Sequence, residues 1–214
     1  MALPFLTAER ALIFRITHIA NVPWTLDHGL HCRDSGVRDP SFRQIGNPDL
    51  IDKRTHRIVP VPPGGALSDY VPFYFTPLSP MLLNIKTGYN GMTRTPMAEI
   101  VIFVASVRRL AELGVPFVLT DRHAYLQAAE YANDLQGLER IDWGILQARD
   151  FKRVGDNPGK IERYQAEALV HRHLPLDALT GLVCYGPDQK AALEAEMDRR
   201  KVPLKVATRP DWYF

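Results

Sequence analysis

The sequence predicts an α+β domain, a mixed sheet with flanking helices interrupted by two long loops. Three observations predict it. Short runs rich in β-branched and aromatic residues recur along the chain. Capped, amphipathic segments stand between them. Two stretches rich in Pro, Gly and charge show no periodicity at all. With 46% hydrophobic and 23% charged residues among 214, the chain has the material for a packed core rather than for wholesale disorder. No Pro/Gly/Ser linker divides residues 1–214, so a single domain is expected.

Leu12 to Ile19 has the alternation of a strand. Asn21 can cap a helix with Pro23 in its first turn and Gly29 at its end. His31 to Tyr70 is expected as one long loop. Val71 to Phe75 (VPFYF) is an aromatic strand, whereas Ser79 to Ile85 is ambiguous between helix and strand. Glu99 to Val107 is a strand, Val107 to Leu113 a short helix stopped by Gly114, and Pro116 to Thr120 another strand. Ala124 to Leu135 is expected as a helix with Asp121 near its start, and Gly137 to Asp156 as the second irregular stretch. Pro158 opens a short helix; Glu167 to His171 either ends it or begins a strand. Leu182 to Tyr185 is a strand, Pro187 to Arg200 a charged amphipathic helix, and Leu204 to Thr208 the last strand.

Several function classes fall away. No stretch approaches the roughly 18 apolar residues of a membrane span. The N-terminus lacks a basic region followed by an apolar block and a cleavage site, so the cytosol is expected. Cys32 and Cys184 are too few for a disulfide framework or a four-cysteine zinc site, and both are expected as buried thiols. His171 and His173 have no HExxH or Cys/His cluster around them, so no metal is expected. GxGxxG after a strand, GxxxxGK[ST], GxSxG and the kinase signature are all missing. The net charge of +2 does not announce a nucleic-acid binder. Two basic clusters could nevertheless hold phosphates: Lys53, Arg54, His56 and Arg57, and Arg149, Lys152, Arg153, Lys160 and Arg163. Taken alone, such runs are more often solvated surface.

Four segments carry a resemblance: FRITHIANVPWTLDHGL (Phe14 to Leu30), KRTHRIV (Lys53 to Val59), SDYVPFYFTPLSPML (Ser68 to Leu82) and RYQAEALVHRHLP (Arg163 to Pro175), with RPDWYF at the end. Together they resemble the DarT family of NAD-dependent DNA ADP-ribosyltransferases. The resemblance implies an ADP-ribosyltransferase-like fold, a split mixed β-sheet whose cleft holds NAD. It places the nicotinamide on Arg15-Ile16-Thr17, where Arg15 departs from the His of relatives and the backbone of Ile16 can still clamp a carboxamide. His18, Asn21, Leu30 and Phe75 join the implied cofactor-binding set. By residue type alone, His18 is a packed strand histidine and Asn21 a helix cap.

Glu167, in the QAE match, is the implied catalytic carboxylate. Breaking the nicotinamide–ribose bond develops oxocarbenium-like charge, which a carboxylate on the ribose 2′-OH opposes. Nicotinamide leaves a cationic ring as a neutral molecule, so no second carboxylate is required. The plain alternative is a solvated helix Glu paired with Arg163 at i−4. Arg54, chosen over Arg57, is the implied second catalytic residue on a segment that folds over NAD. Since an arginine pKa exceeds about 12, positioning of phosphate and base suits it better than proton abstraction. Tyr70, Phe73, Tyr74 and Phe75 offer a stacking surface, with only one face of the strand available to serve.

Asp121 to Tyr164 corresponds to the target-recognition segment of such enzymes. Arg149, Lys152 and Arg153 are its candidate phosphate contacts; Tyr125, Tyr131 and Trp143 are its candidate stacking residues. A single-stranded target is expected because a paired ring nitrogen cannot be reached. The resemblance implies transfer to thymidine, with guanosine left open, and a role as the toxin partner of a DarG-like macrodomain antitoxin. Two readings compete: the same fold acting on protein or RNA, and a non-catalytic single-strand binder that needs no Glu167.

Overall fold

The computed structural model describes residues 2–152 and 155–214. Arg153, one of the expected DNA contacts, lies outside them. The strands are β1 (Leu12–His18), β2 (Leu30–His31), β3 (Tyr70–Tyr74), β4 (Ile100–Ser106), β5 (Phe117–Thr120), β6 (Tyr131–Ala132), β7 (Glu167–His171), β8 (His173–Leu174), β9 (Leu179–Cys184) and β10 (Lys205–Thr208). The helices are α1 (Val22–His28), α2 (Pro48–Lys53), α3 (Pro80–Thr87), α4 (Val107–Glu112), α5 (Trp143–Ala148), α6 (Lys160–Tyr164) and α7 (Pro187–Arg200).

Eight strands form one sheet in the order β10-β9-β4-β1-β3-β7-β5-β6. Among the described residues only β9 and β10 run parallel, joined by the long crossover helix α7 that a parallel pair requires. Along β1 and β4 seven residues pair in register, and β3 and β7 pair through five. Between β1 and β3 the only registered pair is Phe14 with Tyr74. The sheet therefore comes apart along one seam, as the implied fold demands. A backbone left without ladder partners at that seam is free to bind something else.

Packing explains why this chain chooses these strands. Ile13, Phe14, Phe73, Phe103 and Val170 are at most 1% exposed within one large cluster, and burial of each contributes about 1.5–3 kcal/mol. A smaller cluster of Val59, Leu67, Tyr70, Val118, Ala124, Tyr131 and Leu169 covers the opposite face of β7. The C-terminal RPDWYF closes the large cluster. Trp212 stacks on Phe5 with centroids 5.2 Å apart, and the Tyr213 hydroxyl donates to the Ile100 and Val183 carbonyls. Cys32 and Cys184 are buried and free, as expected.

Three expectations need correction. Ala124 to Leu135 is not a helix. The Asp121 carboxylate accepts from the Glu130 N–H at 2.9 Å, and Tyr131–Ala132 then pairs with Leu119–Thr120. Closing that hairpin overrides helical propensity that has no packing face to support it. The loop from His31 to Tyr70 contains β2's last residue and α2, the latter capped by Asn47 with Pro48 behind it. The second irregular stretch holds α5, started by the Asp142 side chain on Ile145 N–H.

Candidate active site

Everything at the site hangs on where β7 begins. Tyr164 ends α6, and Glu167 opens the strand opposite Thr120, the last residue of β5. Its N–H donates to the Thr120 hydroxyl at 3.2 Å. The side chain lies on the face of β7 that also carries Leu169, one strand from the seam, and the residue is only 1% exposed. Glu167 is thus neither a helix residue nor a partner of Arg163, whose guanidinium binds Asp142 and Asn157 instead.

Two groups hold the carboxylate, and a third stands beside it. Arg54 Nη1 lies 3.0 Å from Oε2. The Ala124 N–H donates to Oε1 at 2.9 Å. His123 Nδ1 stands 3.5 Å from Oε1. The last contact is not an ion pair: burial lowers the His123 pKa despite the neighbouring Glu167, so the ring is neutral at pH 7. Its Nδ1 accepts from the Tyr125 N–H, which leaves the ring hydrogen on Nε2.

Arg54 arrives from the end of α2, in a 3-10 turn that carries its side chain over β7. Arg15 comes from the other half of the sheet and donates through Nη1 to the Pro72 carbonyl of β3, bridging the seam. Burial, and then the facing Arg54 charge, push the Arg15 pKa down to about 10. Tyr74 stands between them, its phenol pushed well above its ordinary value by burial and by Glu167. Arg54 Nη2 and Arg15 Nε are buried without a protein partner. Arg54 alone is paired with Glu167, so the facing Arg15 leaves a surplus positive charge, and two unpaired buried donors ask for acceptor oxygens. A pyrophosphate or ribose supplies them, so the residues present fit NAD.

The other expected cofactor residues divide. Ile16 and Thr17 lie on β1 at the cleft, 6% and 5% exposed. His18 is occupied by Glu99 and by the Ala20 N–H, the packed role its residue type implies. Leu30 is 7% exposed and pairs with Leu174, leaving chiefly its backbone for contact. Phe75 is 0% exposed and meets Trp143 edge-on. Tyr70 and Phe73 are enclosed too, which leaves Tyr74 as the aromatic facing the charged cleft. Asn21 does not cap α1, since no side-chain bond forms there.

Arg57 donates to the Leu126 carbonyl and does not reach Glu167, so the geometry favours Arg54 of the two. In the recognition segment Tyr125 is half-exposed and Lys152 exposed. Arg149 ends α5 with φ +56° and is half-buried. Trp143 gives its indole N–H to the Leu138 carbonyl and keeps a partly open face. Tyr131 is buried with its hydroxyl on the Ala124 carbonyl, which withdraws it from stacking. Lys160 is 4% exposed and clasped by Asp150, so it and Arg163 are structural cations rather than phosphate contacts. Sequence reasoning missed His123 and the Ala124 N–H. The first has a faint signal, a histidine just past an apolar strand end; a backbone amide has none.

Fold and cleft together point to one class, an ADP-ribosyltransferase that uses NAD. A profile of the DarT family, described as ssDNA thymidine ADP-ribosyltransferase, matches residues 14–214. A DNA ADP-ribosyl transferase of Escherichia coli O127:H6 is 51% identical over 209 residues, which is 98% of this chain and 96% of that relative. Thermus sp. 2.9 DarT in complex with ADP-ribosylated ssDNA matches with a TM-score of 0.87 at 32% identity over 100% of both chains. The same Thermus protein in complex with NAD+ gives 0.81 at 32% identity, over 96% of this chain and 98% of that one. The chain belongs to the DarT family of ssDNA thymidine ADP-ribosyltransferases. It is an NAD-dependent DNA ADP-ribosyltransferase, with NAD as substrate. Among the described residues no group of side chains could hold a metal ion, and no helix is long and apolar enough to cross a membrane.

Proposed function

We propose that Glu167 and Arg54 carry the transfer of ADP-ribose from NAD to thymidine in single-stranded DNA. The enclosure of the Glu167 carboxylate, 3.0 Å from Arg54, is the observation that carries this reading. As the nicotinamide–ribose bond breaks, its electron pair goes to the pyridinium ring and the sugar becomes cationic. Glu167, accepting from the ribose 2′-OH, opposes that charge in a site too dry to screen it. The base nitrogen then forms the new bond to the anomeric carbon and gives up its proton to the Glu167 carboxylate, the base the site supplies. A guanidinium has no lone pair to receive it; Arg54 instead holds Glu167 in place and offers Nη2 to the cofactor.

Trp143, Tyr125, Arg149 and Lys152 flank the cleft as the surface for the strand, with Arg153 beside them in sequence. Base-modifying chemistry of this kind damages a genome. A macrodomain antitoxin that removes the modification in the cytoplasm accordingly completes the proposal, with this chain as the toxin. The test is mass spectrometry of oligonucleotides containing all four bases after incubation with NAD and protein. The gain of one ADP-ribose on thymidine-containing strands, lost in Glu167→Ala, supports the assignment. Label on protein or RNA alone overturns it.

A further inference from the structure

Asn21 is 2% exposed, and its amide is fully committed elsewhere than on α1 or a ligand. Nδ2 donates to the Thr17 hydroxyl at 3.0 Å and to the Arg43 carbonyl at 2.9 Å. Oδ1 accepts from the Arg43 N–H at 2.8 Å. Both amide hydrogens are used, so none is left to donate to a cofactor. Residue 43 belongs to a strap that crosses from β2 to α2. Among the described residues, these two bonds are the only hydrogen bonds that tie 36–46 to the rest of the fold; the others in that stretch close on Ser35, Asp39 or the strap itself.

The strap's two ends are fixed independently. At one, the Cys32 N–H donates to the Arg172 carbonyl; at the other, Asn47 caps α2, whose last turn delivers Arg54 to Glu167. Between those ends the segment is mostly exposed, with Phe42 at 52% and Val37 at 46%, and Ile45 is its one apolar side chain packed against the core among the described residues. A segment with few buried contacts opens easily unless something pins it.

We propose that Asn21 is a latch. It pins the strap of residues 36–46 to Thr17 on the β1 side of the cleft, and so sets the affinity for NAD without touching it. The inference rests on the reading of this cleft as the NAD site. Asn21 is a positioning residue, acting through the strap and through Thr17. An unlatched strap must be ordered at the moment of binding, which weakens apparent affinity by the fraction of time the strap is out of place.

The experiment pairs steady-state kinetics with limited trypsin digestion of the NAD-free protein. In Asn21→Ala, cleavage after Arg38 and Arg43 accelerates and KM for NAD rises about tenfold, the scale of two or three lost hydrogen bonds. Its kcat stays within about threefold, because Arg54 keeps its own hold on Glu167. Asn21→Asp keeps the acceptor for the Arg43 N–H but loses both donors, and gives an intermediate shift; it also serves if the alanine variant does not fold. Arg43→Ala, which leaves the backbone bonds intact, keeps the wild-type KM. Faster cleavage with unchanged KM overturns the inference, as does a raised KM with wild-type cleavage, the mark of direct contact with NAD. Wild-type protein that neither modifies DNA nor gains thermal stability from NAD refutes the cofactor reading instead, whereas the cleavage comparison then still reports on the latch itself.

Discussion

Replacing Glu167 by Gln changes one oxygen for an NH2 in a site where every neighbour is already committed. If the remaining oxygen faces the Ala124 N–H, the new amide hydrogens face Arg54; turned round, they face Ala124. Either way one donor meets another. The 3.0 Å separation of Arg54 from the carboxylate corresponds to about 5.5 kcal/mol of Coulomb attraction at an effective dielectric near 20. Much of that offsets the cost of drying the two ions, and loss of one partner from a buried pair ordinarily costs about 3–5 kcal/mol. Arg54 keeps 12% side-chain exposure, so water relieves part of this and about 2–3 kcal/mol is expected. For a chain of this size that is a fall in Tm of roughly 4–12 °C. The kinetic loss is separate. A carboxylate that stabilises charge only in the transition state contributes about 3–4 kcal/mol, so kcat falls by about 10²–10³-fold. Oligonucleotide modification followed by mass spectrometry measures the rate. Thermal unfolding with and without NAD measures stability and shows that NAD still binds. A Glu167→Gln protein that keeps more than about a tenth of the wild-type rate would refute the role of the carboxylate.

Three further outcomes follow from the same geometry. His123 folds with a pKa below that of the unfolded chain, so the unfolded state binds the extra proton. Stability is therefore complete above pH of about 6.5 and falls as pH drops below it, and chemical denaturation of His123→Gln across pH 5–8 should show a shallower dependence. Lys160→Met removes the cation clasped by Asp150 at the base of the recognition segment. Its KM for the oligonucleotide should rise several-fold while NAD-induced thermal stabilisation stays as in wild type, and a changed NAD response would contradict that separation. Gly29→Ala should cost about 2–4 kcal/mol in urea unfolding, because φ is +77° and the added Cβ would lie 2.5 Å from the Leu174 carbonyl oxygen; a variant as stable as wild type would show that β2 and β8 can separate freely.

How far the sequence reached depended on the range of the forces involved. Strands β1, β3, β4, β5, β9 and β10 and helix α7 are visible in period and composition, since apolar alternation and a charged amphipathic run are local properties; β7 is ambiguous by period, and β6 falls within the expected helix. Pro187–Arg200 is predicted and found over the same residues. The helix expected at Ala124 to Leu135 fails because its fate is set by one carboxylate, Asp121, closing on Glu130 across the turn. α2 and α5 are short and begin at Asn47 and Asp142, caps that carry weight only once tertiary packing supports the turn behind them. At the site, Glu167 and Arg54 were legible only through the resemblance, because 113 residues separate them. Their residue types alone favoured a solvated helix glutamate and a loop cation.

The seam explains why these few residues converge. A continuous ladder between β1 and β3 would satisfy both backbones and leave no cleft; the single pair at Phe14 and Tyr74 holds the halves together and lets them diverge beyond it. Arg15 spans that divergence through the Pro72 carbonyl, which fixes one guanidinium at the gap without charge compensation there. Arg54 must then approach a site already positive, and only the carboxylate of Glu167 makes that approach favourable. On the proposed reading, the acceptor oxygens of a dinucleotide answer the unpaired Arg54 Nη2 and Arg15 Nε, while Arg54 Nη1 keeps its hold on Glu167.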